Sequence, residues 1–166
     1  MYELAIPTFA HYLDNLAGIL KKAAGYADEK RLDIDALLDT RLFPDMFTLC
    51  QQVRGVSYHA LVASANLCGR VPPEFDGARR SLGELFAEIA ATQAKLKLYS
   101  PKDFDGAEER MITLNLRRGG VTLKGERYLT HFALPNFFFH VTTAYDILRQ
   151  QGVPLGKVDF LGRFMD

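Results

Sequence analysis

The sequence predicts a mainly α protein, an up-down four-helix bundle with a β-hairpin inserted between its third and fourth long helices. Three observations carry that prediction. Apolar residues recur at helical spacing in four long stretches, the period switches to two on either side of Gly119-Gly120, and nearly half of the 166 residues are apolar. A chain of this length can bury one sizeable core. No internal repeat, low-complexity tract or composition shift divides it, so residues 1–166 are expected to form a single domain.

The first helix is predicted from about Leu4 to Gly25, with Pro7 tolerated in its opening turn. Ile6, Phe9, Leu13, Leu16 and Leu20 mark its apolar stripe, and His11 points away from it, towards solvent. Asp33 to Leu38 predicts a short helical turn. The second long helix is expected to open at Arg41-Leu-Phe-Pro-Asp, because Pro44 suits a first helical position and Asp45 the positive end of the dipole. Gly69, followed by Pro72-Pro73, stops it. Beside its core face, Asp45, Gln52, His59 and Asn66 recur every seven residues as a polar row. Gln52 and His59 are the better cavity candidates, since Val56 and Ala63 lie close to the same line.

Ser81-Leu-Gly-Glu84 reads as a capping box opening a third helix that reaches about Leu98. Gln93 falls within its apolar stripe, where an amide either closes a structural network or faces an interior site. Beyond a polar loop, Ile112, Leu114 and Leu116 alternate with polar residues, as Val121 and Leu123 do after the Arg117-Arg118 pair and its glycines. That predicts a hairpin over about 110–130, its second strand extending towards Tyr128 or Phe132. Its apolar face must pack on the bundle or on a second subunit. Pro135 starts the fourth long helix, which ends near Gly152. The tail, about 152–166, is expected to anchor through Phe160, Leu161 and Phe164.

The fourth helix is the most aromatic part of the chain, yet Asn136 and His140 share one of its faces, continued by Thr143. A polar pair on a helix apolar over most of its circumference is either a satisfied core feature or the wall of a site. Bulk properties exclude several other functions. Twenty acidic and twenty basic residues leave no net field for nucleic acid or an anionic membrane, and Arg79-Arg80 and Arg117-Arg118 are isolated pairs. No stretch is long and apolar enough to span a bilayer, and no signal peptide opens the chain, so a cytoplasmic location is expected. Cys50 and Cys68, some 27 Å apart on one helix, are beyond disulfide reach and read as buried thiols. There is no P-loop, dinucleotide fingerprint or nucleophile elbow.

Leu42-Phe-Pro-Asp-Met-Phe, the Leu134-Pro-Asn-Phe-Phe-Phe-His-Val-Thr-Thr-Ala-Tyr helix and the Gly156-Lys-Val-Asp-Phe-Leu-Gly tail together resemble a bacterial domain-of-unknown-function family of the DinB/YfiT-like superfamily. The resemblance implies a four-helix bundle across essentially the whole chain. It also implies a divalent-metal site, zinc or nickel, built from one histidine of the second helix and an HxxxH pair of the fourth. Carried over residue by residue, those positions are His59, Asn136 and His140, so the motif reads NxxxH. An amide oxygen is a weak zinc or nickel ligand and suits calcium or magnesium better.

Three readings follow. In the first, His59, His140 and Asn136 form a degenerate metal site supporting the thiol-transfer or hydrolytic chemistry implied by the resemblance, with Gln52 in support. In the second, the same residues with Gln52, Gln93 and Thr143 line a metal-free pocket for a small molecule. In the third, His140 is a satisfied core histidine in a structural or interaction protein. A homodimer is expected, since bundles of this kind pair and the hairpin offers an apolar face.

Overall fold

The computed structural model describes residues 1–116 and 119–163. Arg117-Arg118 and Phe164 lie outside the described residues. Helix α1 (Tyr2–Lys30) runs further than the sequence indicated, closing at Arg31, whose left-handed backbone (φ 53°) lets its N–H reach the Ala27 and Asp28 carbonyls. Phe9, Leu13, Leu16 and Leu20 are fully buried along it. Asp33 caps the short α2 (Ile34–Leu38), as expected, by accepting from the Asp35 N–H.

The second long helix, α3 (Leu49–Leu67), opens later than predicted. Thr48 accepts from the Gln51 N–H while the Gln51 side chain accepts from the Thr48 N–H, and this reciprocal cap prevails over Pro44, which stays in the preceding loop. Ser81 and Glu84 form the predicted capping box on α4 (Leu82–Leu96). A short 3₁₀ turn (Pro101–Phe104) leads to the hairpin of β1 (Met111–Leu116) and β2 (Gly119–Lys124), in which Ile112 pairs with Leu123 and Leu114 with Val121. Ile112 and Leu114 are buried against the bundle core.

β2 ends at Lys124 and does not extend towards Phe132. At Gly125 the backbone comes so close to Ala107 that a Cβ would lie 1.8 Å from its carbonyl oxygen. The chain turns there into α5 (Gly125–Tyr128), then into a π-helical stretch (Leu129–Ala133) that runs on into α6 (Leu134–Gln150). The tail forms α7 (Lys157–Leu161).

Cys50 on α3 meets the Arg80 backbone just before α4, and Arg54 on α3 pairs with Glu88 on α4. These two helices are therefore parallel rather than alternating, and the 68–81 connection returns the chain along their length. Helix α6 runs antiparallel to α3, with Gln52 beside His140 and Asn66 beside Tyr128. The Phe9 and Phe137 rings, 4.8 Å apart, join α1 to α6 in the core. Among the described residues, no helix is long and apolar enough to cross a membrane.

The tail is built onto α1. Asn15 donates to the Phe160 carbonyl (2.9 Å), Lys22 pairs with Asp159 (2.7 Å), and the Phe160 ring packs between Tyr12 and Tyr145. His11 is not a solvated surface residue. It is half-buried, and its Nε2 donates to the Leu161 carbonyl (2.6 Å).

Candidate functional site

The antiparallel packing of α3 and α6 brings His59 against His140, with ring centroids 4.9 Å apart and planes within 21°. His140 is 8% exposed and His59 half-buried. Gln52, one of the polar row on α3, is buried beside them and sets the state of His140. Its amide oxygen lies 2.7 Å from His140 Nδ1, while its amide nitrogen donates to the Phe47 carbonyl (3.4 Å). An amide oxygen only accepts, so Nδ1 carries the proton and Nε2 keeps the lone pair. Gly55, one turn after Gln52, leaves the space that the imidazole fills; a Cβ there would sit 2.9 Å from ring atoms of His140.

Aromatic rings flank the pair, Phe47 and Phe139 being themselves exposed. Phe47 stacks on His140 (6.1 Å, 16°), Phe139 meets it edge-on (5.5 Å, 82°), and Tyr58 meets His59 edge-on (5.3 Å, 73°). Phe75, from the 68–81 connection, packs against both Phe47 and Tyr58. Burial lowers the His59 pKa. Burial also pushes His140 down to about 4, and the neighbouring His59 adds to that shift. Both rings are thus neutral near pH 7, the form in which imidazole accepts a hydrogen bond or ligates a metal. At that pKa His140 is a weak general base, better suited to binding than to proton abstraction.

The other candidates divide. Asn136 is half-buried, and its amide nitrogen donates to the Phe132 carbonyl (2.7 Å) at the exit of the π-helical stretch. Thr143 is buried along the same helix. Gln93 is elsewhere: it donates to Asp14 of α1, closing a network between helices rather than facing the histidines. Asn66, further along the polar row, donates to the Tyr128 hydroxyl (3.0 Å). Sequence reasoning passed over Phe47, Gly55 and Tyr58. A glycine inside a helix costs about 1 kcal/mol relative to alanine, so Gly55 was the readable signal of a close approach.

The donor set fits a divalent ion in part. The two imidazoles, 4.9 Å apart by ring centroid, are close enough to meet one ion, but their stacked planes carry the lone pairs side by side, so one ring must turn to share it. Among the described residues, however, no three histidine, cysteine, aspartate or glutamate side chains group to share an ion. Two neutral imidazoles and a carboxamide would hold an ion loosely with open positions; they do not make a closed structural zinc site.

A family model described as "Domain of unknown function (DUF1993)" matches residues 1–161. The crystal structure of a DinB family member protein from Shewanella denitrificans is similar throughout, with a TM-score of 0.91 and 38% sequence identity over 99% of this chain and 93% of that one. No curated protein matches the chain.

Proposed function

From the premise that this chain belongs to the DUF1993 family of DinB-like bundles, we propose that the His59–His140 pair loosely holds a divalent ion, zinc or nickel, at which a small molecule binds. The observation that supports this most is the Gln52–His140 contact. Metal-ligating histidines nearly always donate their second ring nitrogen to a fixed acceptor, which sets the tautomer and aims the other nitrogen outward. His59 would supply the second imidazole and Asn136 the weak third position. A bound ion would supply Lewis acidity towards a water or thiol, in keeping with thiol-transfer or hydrolytic chemistry. The chain's own part is to keep both rings neutral, orient His140 through Gln52, and limit water with Phe47, Phe139 and Tyr58.

The test is metal content and thermal stability of tag-free protein. Zinc or nickel is expected to raise the melting temperature of the wild type, less so in Gln52→Leu and not at all in His140→Ala. An unchanged melting temperature with every divalent ion, together with metal-free protein as isolated, sinks the proposal. One observation favours a metal-free pocket instead: among the described residues no three histidine, cysteine, aspartate or glutamate side chains group to share an ion, so His59 and His140 are the two strong donors. There His140 Nε2 would accept a hydrogen bond from the small molecule, and ligand-induced stabilisation would persist in a chelator.

A further inference from the structure

His140 is buried along its helix, and Gln52 takes up its Nδ1 proton. Its Nε2 meets no hydrogen-bond partner among the described residues, and neither do the two ring nitrogens of His59. None of these three atoms is sealed in. Among the described residues, the Ser57 hydroxyl is the one side-chain polar atom that is both cut off from the surface and without a partner. His140 Nε2 is therefore an unused acceptor that reaches the surface from a ring otherwise fixed in the core.

No formal charge stands beside it. Neither histidine joins an ion pair among the described residues. Burial and the neighbouring ring account for both lowered pKa values, and no acidic or basic side chain contributes. Arg54, whose guanidinium lies over the Phe75 ring, is already matched by Glu88 and Asp76.

The rim of the opening is aromatic. Phe47 and Phe139 are 44% and 54% exposed, and both adjoin the His140 ring. Phe47 lies nearly parallel to that ring and Phe139 nearly perpendicular, so the two phenylalanines stand steeply to each other. A flat ring stacked on one can meet the other edge-on, and aromatic pairs favour both arrangements. A carboxylate would set its lone pairs against that of Nε2, and an ammonium would lose hydration with no carboxylate to receive it. A hydroxyl is a stronger donor to Nε2 than a thiol.

We infer that the histidine pair binds a phenol, an uncharged aromatic molecule whose hydroxyl donates to His140 Nε2 while its ring packs on Phe47 and Phe139. This rests on the small-molecule reading of the pair; with an ion at Nε2, the hydroxyl oxygen would face the ion instead.

The experiment titrates the full chain, in chelator, with p-cresol and four comparison probes. Toluene lacks the hydroxyl, cyclohexanol lacks the aromatic ring, and benzoate and benzylammonium carry a charge. Calorimetry reads the affinities, and amide NMR locates the site. The p-cresol shifts should centre on Gly55 and Phe139, and every other probe should bind about tenfold more weakly or worse. Phe139→Ser, at an exposed side chain, should melt like wild type and weaken p-cresol binding about fivefold. His140→Leu should remove it. Equal binding of any comparison probe overturns the inference, as do shifts centred elsewhere or full p-cresol affinity in either variant. If p-cresol fails to bind while zinc raises the melting temperature without chelator, the phenol is wrong and the metal reading stands. If no probe and no divalent ion acts on the protein, both fall.

Discussion

Gly55 decides how closely α3 and α6 approach. Its missing Cβ is the space occupied by the His140 ring. Gly55→Ala gains about 1 kcal/mol of helix propensity but forces the helices apart or turns the ring, at a cost of about 1–3 kcal/mol. The expected net result is a modest loss of stability in urea titration and a marked loss of any metal response, since the Gln52–His140 contact cannot survive a displaced ring. At this scale the sequence was partly readable. The seven-residue polar row pointed to Gln52 and His59, and the four-residue spacing on the aromatic helix pointed to His140. Phe47 and Tyr58 were not readable, because which rings flank the pair depends on how far one helix slides along another. Gln93, left open between a network and a site, closes a network for the same reason: its stripe position is real, and the neighbour it meets is Asp14.

Helix ends follow short-range chemistry, and there the sequence was informative only where a single signal was present. Ser81 and Glu84 had no competitor and mark the start of α4. Before α3 two signals compete, and the paired hydrogen bonds of Thr48 and Gln51 outweigh the steric suitability of Pro44. The end of β2 rests on contact with Ala107, which no local pattern encodes. The tail is the element most open to a selective test. Gly162 has φ 66°, and a Cβ on it would lie 2.2 Å from Asn15 Oδ1. Gly162→Ala is expected to release α7 from α1 and leave the rest folded. Limited proteolysis should then cut after residue 152 much faster than in wild type, while the global unfolding midpoint moves little. A large fall in that midpoint would show that the tail belongs to the cooperative core.

For the whole molecule, the count of long helices and the inserted hairpin were legible, and the order of neighbours was not. Periodicity tells which face of a helix is apolar; it does not tell which helix covers it. The parallel run of α3 and α4 becomes evident only when Arg54 is seen beside Glu88. Global stability carries the signature of the histidine pair. The ordinary His140 pKa of 6.5 drops to about 4 in the fold, so between those values the unfolded chain binds the extra proton. Its contribution is complete above about pH 6.5, is lost as pH falls towards 4, and changes no further below that. It amounts to about 3 kcal/mol at most, and the lowered His59 acts in the same direction. Urea unfolding in chelator at pH 7, 5.5 and 4 should show this slope in wild type and a much flatter one in His140→Leu. Equal slopes would place the titration elsewhere.

The π-helical stretch between Tyr128 and Leu134 has a consequence for spacing. Geometrically it is an α-helix carrying one surplus residue, absorbed as a widened turn. It sets the angular phase between Tyr128, which holds Asn66, and His140, which meets His59, so that both contacts fall on α3 at once. Forced into regular α-helix, the surplus residue would swing one contact away from the other by about 100°, and the widened turn prevents that. Deleting the exposed Thr130 is therefore expected to restore regular helix and keep both contacts. A deletion protein that lost either the Tyr128–Asn66 or the His59–His140 contact in its crystal structure would show that the widened turn does more than absorb one residue.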